Sequence, residues 1–139
     1  MFPGRPFAIM SLLSKRRILV IDDDDMLREV MVFALREAGY EPFEASSGER
    51  GIDLALRSHL DLILCDLMMP GLDGFGVLVR LRAEPKTAGI PFIFITSSSA
   101  AEDSRLGILL GANDYVTKPV ESAKLLKLIE QRLSPKNVP

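Results

Sequence analysis

Short apolar runs alternate with helix-like segments along most of this chain, and this alternation restricts the fold more than any other feature. The continuous apolar run at residues 18–21 is typical of a strand buried on both faces of a sheet, and residues 62–65 and 91–96 are also predicted as strands. Weaker strand patterns occur at residues 40–45 and 114–116. Each of the five is followed by a helix-like segment, which predicts an α/β protein with a doubly wound, five-stranded parallel sheet and helices on both faces.

The first helix-like segment, residues 24–38, has an apolar stripe that we expect to face the sheet. The stripe comprises Leu27, Val30, Met31, Ala34, Leu35 and Ala38. The later helices are predicted to end near residues 57, 83, 110 and 133, with Ser46 or Ser47 as the cap of the second. Pro42 places the second strand at an edge of the sheet or in an irregular position, because proline cannot donate a ladder hydrogen bond.

The composition fits one globular domain without a strong charge. The chain has 139 residues, 47% of them hydrophobic, and a net charge of −2, which gives no electrostatic argument for binding nucleic acid or an anionic membrane. We therefore predict no direct contact to either. Cys65 is the only cysteine, so no disulfide can form within one chain, and this fits a cytoplasmic protein. One domain is expected over residues 15–134, after a loosely ordered extension over residues 1–14 and before a short tail over residues 135–139.

Polar side chains follow the predicted strands where the strands end. Four aspartates at residues 22–25 follow the first strand, Asp66 the third, Thr96 the fourth and Lys118 the fifth. Because parallel strands end at a common edge, these groups should converge there. An oxygen-rich carboxylate set without histidine or cysteine favours Mg²⁺ or Mn²⁺ over zinc. With the amine and the hydroxyl, it is suited to phosphoryl transfer, in which a carboxylate can be the nucleophile.

Four motifs occur in order over residues 17–133. They read ILVIDDD from residue 18, LILCDLMMPGLDG from residue 62, ITSS from residue 95 and GANDYVTKP from residue 111. Together they resemble the receiver domain of two-component response regulators. The resemblance implies a flavodoxin-like sheet of order 2-1-3-4-5 and a role in a phosphorelay.

The resemblance assigns roles around a metal ion. Asp66 matches the phosphoacceptor, Asp23 a direct Mg²⁺ ligand, and Asp22 a ligand through water, while the backbone carbonyl of Met68 would supply another oxygen. The phosphoryl donor would be a histidine kinase or a histidine phosphotransfer protein. Such a domain is a signalling phosphoacceptor that assists its own phosphorylation and dephosphorylation, and it is not counted as an enzyme.

The resemblance also implies a switch. Lys118 would pair with the phosphate, Thr96 would supply the switch hydroxyl, and Tyr115 occupies the position of the switch aromatic residue. The Lys118–Pro119 peptide bond is expected to be cis. Phosphorylation would then alter the face formed by the fourth helix, fifth strand and fifth helix.

Leu106, Leu109 and Leu110 lie on one side of the fourth helix, and receivers often carry polar residues in place of the first two. If exposed, these leucines and Tyr115 would form a surface for a downstream protein or for a second copy of the chain. The alternative is that the leucines pack beneath the N-terminal extension.

Other functions remain as alternatives at this point. The same fold can serve as a protein-binding module that is never phosphorylated. A haloacid-dehalogenase-like phosphatase is disfavoured because 139 residues leave little room for its cap domain. Flavin binding is disfavoured because an acidic rim repels phosphate unless a metal intervenes. Asp24 and Asp25 are expected as solvated carboxylates at a helix N-terminus, with Asp25 as a candidate cap.

Overall fold

The computed structural model describes residues 14–133, which form five strands and five helices in strict alternation. The strands are β1 (Arg17–Ile21), β2 (Glu41–Ala45), β3 (Leu62–Cys65), β4 (Phe92–Thr96) and β5 (Asp114–Thr117). The helices are α1 (Asp25–Glu37), α2 (Gly48–Arg57), α3 (Gly74–Arg82), α4 (Ala101–Leu109) and α5 (Ser122–Leu133). Apart from Ser14, the expected extension lies outside the described residues, as does the tail. Within residues 14–133, no helix is both long and apolar enough to cross a membrane.

All five strands are parallel and lie in the order β2-β1-β3-β4-β5, which confirms the predicted fold. Pro42 is on the edge strand β2, as its missing donor requires. The strand register aligns the ends of the central strands, because Ile21 pairs with Cys65 and Cys65 pairs with Phe94. The residues that follow these strands therefore emerge side by side at one edge.

Alternate residues of each central strand contribute to two separate cores. In β1, Leu19 and Ile21 pack with residues of α2 and α3, whereas Ile18 and Val20 pack with residues of α1 and α5. All four are fully buried. This two-sided burial is the reason that the strands appear as continuous apolar runs in the sequence.

The predicted buried stripe of α1 is only partly correct. The buried residues of the helix are Val32 and Leu35, whereas Leu27, Val30 and Ala38 are exposed. Apolar side chains occupy more than half of the circumference of α1, so the helical period alone did not determine which of them face the sheet.

The N-terminus of α1 is capped by Asp24 and not by Asp25. The Asp24 carboxylate accepts a hydrogen bond from the amide of Leu27 at 3.1 Å, and Asp25 is the first residue of the helix. Asp24 has the extended backbone of a cap residue, which leaves its side chain within reach of the free amides of the first turn. Ser47 caps α2 in the same way.

Candidate functional site

Three carboxylates meet at the edge where the central strands end. Ligand oxygens of Asp22, Asp23 and Asp66 all lie within 4.8 Å of one another. Asp22 and Asp66 are buried, and Asp23 is exposed. The sheet register causes this meeting, since Asp22 and Asp66 directly follow the paired residues Ile21 and Cys65.

Asp22 accepts hydrogen bonds at both carboxylate oxygens and at its backbone carbonyl. One carboxylate oxygen accepts the Asp24 amide at 2.9 Å, and the other accepts the Lys118 ammonium at 2.9 Å. The backbone carbonyl of Asp22 accepts a hydrogen bond from the Arg28 guanidinium at 2.7 Å. Sequence reasoning missed Arg28; the signal would have been a basic residue one turn into the helix that follows the acidic loop.

Lys118 extends its amine between the two buried carboxylates. Its Nζ lies 2.9 Å from Asp22 Oδ2 and 3.4 Å from Asp66 Oδ2. Its backbone amide donates to the carbonyl of Thr96 at 2.7 Å, and the Lys118–Pro119 bond is cis, as expected. Burial by itself lowers the pKa of Lys118, but hydrogen bonds and attraction to Asp22 and Asp66 outweigh it and raise that pKa.

The environment of Asp66 opposes its ionisation in the absence of a metal. Burial raises the pKa of its carboxyl group most, Lys118 lowers it, and repulsion from Asp22 raises it further. Hydrogen bonds from the Met68 amide, at 3.4 Å, and from the Thr96 side chain lower the same pKa. The pKa of Asp66 is raised overall, so an added positive charge near its carboxylate would be stabilising.

Gly74 allows the loop after β3 to fold against Asp66. A Cβ atom on Gly74 would lie 2.5 Å from the Asp66 carbonyl oxygen and 2.8 Å from Leu67 Cα. The Gly74 amide donates to the Leu67 carbonyl at 2.8 Å, which closes the loop. The sequence motif that ends at Gly74 did not reveal this close approach. Met68, in the same loop, is exposed beside the site, and its predicted carbonyl ligand stays a prediction.

Tyr115 connects the polar edge to the sheet core. Its hydroxyl donates to the Ser98 carbonyl at 2.9 Å, and its ring lies 5.8 Å from the Phe94 ring. Thr96, fully buried, accepts the Ser98 amide at 3.3 Å. The loop after β4 is thus held by both residues that were predicted to form the switch.

The exposed apolar patch on α4 contains two of the three predicted leucines. Leu106 and Leu109 are exposed, at 43% and 82% of their surface. Leu110 is only partly exposed, because it packs against the core on the α2–α3 side. Ile108, which was not predicted, is exposed at 48%. The N-terminal extension, beneath which the alternative prediction packs these leucines, lies outside the described residues apart from Ser14.

The donor set fits a hard divalent cation. All three candidate side chains are carboxylates, and Mg²⁺ and Mn²⁺ prefer oxygen ligands. Within residues 14–133 this is the one group of three carboxylate, imidazole or thiol side chains with such spacing. Cys65 is no substitute ligand, since burial holds the pKa of its thiol well above its usual value.

A parallel sheet of this order with an acidic pocket, a lysine and a threonine at its carboxyl edge defines a receiver-type signalling domain. The family model of the response regulator receiver domain matches residues 18–130. The chain therefore belongs to the receiver domains of two-component response regulators.

Individual relatives agree with this membership. The DNA-binding dual master transcriptional regulator RpaA of Synechocystis is 39% identical over 117 residues, which are 84% of this chain and 48% of that protein. The chain thus spans about half the length of this curated relative. Chemotaxis protein CheY4 of Vibrio cholerae has a structure with a TM-score of 0.82 and 27% identity, and the match covers 87% of this chain and 100% of that one.

A third relative bears on the metal. The receiver domain of the sensor histidine kinase PA1611 from Pseudomonas aeruginosa has a TM-score of 0.80 and 28% identity, over 86% of this chain and 98% of that chain. In that structure a magnesium ion is coordinated in the active site cleft.

Proposed function

We propose that this receiver domain accepts a phosphoryl group on Asp66 from a phosphohistidine of a histidine kinase or phosphotransfer protein, and signals through its α4–β5–α5 face. The observation that carries the proposal is the position of the Asp66 carboxylate. It is buried, shares a site with Asp22 and Asp23, and lies 3.4 Å from the Lys118 amine. The domain is a signalling phosphoacceptor and not a multiple-turnover enzyme.

The chemistry requires a nucleophile and compensation of negative charge. An Asp66 oxygen forms the new bond to phosphorus, the bond from phosphorus to the donor imidazole breaks, and the imidazole nitrogen keeps that electron pair. A divalent cation held by Asp22, Asp23 and Asp66 would supply charge neutralisation for the phosphoryl oxygens. Lys118 provides the fixed ammonium that orients those oxygens.

The switch follows from the contacts of the loop after β4. The Thr96 side chain hydrogen-bonds to Asp66, and a phosphoryl group on Asp66 offers its hydroxyl a stronger acceptor. Movement of Thr96 changes the position of Ser98, whose carbonyl is the acceptor for Tyr115. The changed loop alters α4 and the exposed leucines, which are the proposed contact for a downstream protein or a second copy.

An apolar groove next to the site supports a protein as the phosphoryl donor. The groove has a volume of about 410 Å³ and runs between α1 and the start of α5. Leu27 and Val30 form one side, Val120 and Leu125 the other, and Lys118 lies at the end nearest Asp66. A helix carrying the phosphohistidine could bury its apolar face here while the phosphoryl group reaches Asp66.

The proposal also includes the predictions that this domain binds neither nucleic acid nor a membrane directly and that it is cytoplasmic. The relative whose name includes DNA binding is about twice as long as the matched region. The net charge of −2 supports a domain that does not itself bind DNA.

Phosphorylation tests the proposal directly. The chain is incubated with Mg²⁺ and acetyl phosphate, and intact mass is measured. We expect a gain of one phosphoryl group that disappears in Asp66→Asn and persists in Asp53→Asn, which removes an exposed carboxylate on α2. No gain on the wild type would leave a binding module that is not phosphorylated. Multiple-turnover hydrolysis of phosphate esters would instead indicate a phosphatase.

A further inference from the structure

Arg28 makes contacts that the proposed chemistry leaves unexplained. From the second turn of α1 its side chain extends back over the helix N-terminus and is only 13% exposed. Its guanidinium donates to the Asp22 carbonyl at 2.7 Å, to Asp25 Oδ1 at 2.7 Å and to Glu44 Oε1 at 3.1 Å. One side chain therefore connects the loop after β1, the first turn of α1 and the end of the edge strand β2.

The location is unfavourable for a cation unless these acceptors are present. The amino end of a helix carries partial positive charge, which repels a guanidinium. The loop beside it has four aspartates at residues 22–25, whose like charges repel one another. A planar guanidinium with donors in fixed directions can bond several oxygens at once, which a lysine ammonium on a flexible chain does less well.

The loop held by Arg28 carries the candidate metal ligands. Arg28 fixes the Asp22 carbonyl, and Asp24 is fixed as the cap of α1. Asp23 lies between them and is exposed, so the backbone on its two sides determines where its carboxylate points. Arg28 is thus placed to orient the Asp23 carboxylate toward Asp66 without contacting the ion.

We propose that Arg28 is a positioning residue for the divalent cation, acting through the backbone of residues 22–25. This inference rests on the proposed function, because it concerns the same metal site. A purely electrostatic role predicts the opposite effect: removal of a nearby positive charge would strengthen cation binding. The sign of the change in Mg²⁺ affinity therefore separates positioning from charge.

The test is calorimetric titration of the full chain with Mg²⁺. We expect Arg28→Ala to weaken Mg²⁺ binding about tenfold or more, the range found for residues that orient metal ligands. Arg28→Lys keeps the charge but loses the planar set of N–H donors, so it should also weaken Mg²⁺ binding. Arg57→Ala, which removes an exposed ion pair with Asp53 on α2, is the matched control and should bind as wild type does.

Two further measurements distinguish positioning from a general loss of structure. In metal-free protein, the amides of Asp22 and Asp24 should exchange hydrogen faster in Arg28→Ala, while amides of the core strands keep their protection. In phosphorylation by acetyl phosphate, the Mg²⁺ concentration for half-maximal rate should rise about tenfold, whereas the rate at saturating Mg²⁺ stays near that of wild type.

The outcomes are separable. Wild-type or tighter Mg²⁺ binding by Arg28→Ala overturns the inference and leaves phosphorylation of Asp66 untouched. If Arg28→Ala does not fold, Arg28→Lys decides, and loss of fold in both makes Arg28 a structural residue and overturns the inference. A wild type that binds Mg²⁺ but takes no phosphoryl group overturns only the proposed function. A wild type that binds no Mg²⁺ overturns both.

Discussion

Lys118 and Asp22 form a buried ion pair at the carboxyl edge of the sheet, with Nζ 2.9 Å from Oδ2. Asp66, the proposed phosphoacceptor, is farther from the same amine, at 3.4 Å. The amine therefore compensates the two buried carboxylates without a metal. A bound cation and Lys118 should compete for the same negative charge.

Lys118→Ala should show this competition. Removal of one partner of a buried ion pair costs about 3 kcal/mol of unfolding free energy, toward the low end of the usual range because Lys118 keeps some exposure. The variant should bind Mg²⁺ more tightly than wild type, because no ammonium opposes the ion. Denaturant unfolding with and without Mg²⁺ measures both effects. Lys127→Ala, on α5, is the control, and equal Mg²⁺ affinity in Lys118→Ala and wild type would contradict the prediction.

The raised pKa of Asp66 predicts a particular dependence of stability on pH in metal-free protein. Burial makes the folded state hold the Asp66 proton more tightly than the unfolded state, in which the carboxyl group titrates near 3.8. The associated stability is present below that pH and is lost as pH rises through the folded-state pKa. Asp66→Asn should therefore gain stability over wild type as pH increases, until Asp66 is fully ionised.

Unfolding in chelator across a pH series measures this difference. Asp53→Asn serves as the control. A stability difference between Asp66→Asn and wild type that is constant with pH, or that shrinks as pH rises, would show that ionised Asp66 is not disfavoured in the folded state.

Gly74→Ala should destabilise the loop that carries Asp66. The added Cβ would meet backbone atoms, at 2.5 Å from the Asp66 carbonyl oxygen, and backbone cannot move aside as a flexible side chain can. We expect a loss of about 3 kcal/mol, the upper end for overpacking, together with slower phosphorylation. Gly89→Ala is the matched control because its Cβ would meet nothing within 4 Å. If thermal unfolding shows the same stability for Gly74→Ala and Gly89→Ala, the role of Gly74 is contradicted.

Two aspartate substitutions should separate donor docking from output. Val30, 54% exposed, lines the groove beside the site, and Leu109 is exposed on α4. Val30→Asp should slow transfer from a phosphohistidine protein about tenfold, equivalent to about 1.4 kcal/mol, and leave phosphorylation by acetyl phosphate unchanged. Leu109→Asp should leave both rates unchanged and instead weaken binding of the downstream partner or second copy.

Rates with the two donors are compared by intact mass. Equal slowing of Val30→Asp with both donors would point to a distorted site and not to a lost docking surface. If Leu109→Asp slows phosphoryl transfer from the protein donor but not from acetyl phosphate, the donor docks on α4 and not in the groove beside α1.

The alternation of elements could be predicted because each depends on neighbours in the chain. Ile18 to Ile21 form a continuous apolar run, since β1 is buried on both faces, and no distant residue is needed to recognise it. The meeting of Asp22 with Asp66 was also predictable, because parallel strands must end at one edge. The prediction of Asp25 as the cap of α1 was wrong by one residue, because Asp24 is the cap.

Other features required the tertiary structure. The sequence of α1 has more apolar residues than one face can bury, so only packing against the sheet selected Val32 and Leu35 and left Val30 in an open groove. Packing of α4 and its C-cap residue against the core likewise buried part of Leu110 and left Ile108 exposed.

The sequence by itself determined the order of the strands' end residues and therefore the chemistry of the edge: carboxylates, a hydroxyl and an amine. The tertiary structure decided how those groups are held, through the reach of Arg28 to Glu44 and the contact of Gly74 with the Asp66 carbonyl. These contacts join residues that are not neighbours in the chain, and their distances depend on how strands, helices and loops pack. Local sequence patterns carry no information about such distances.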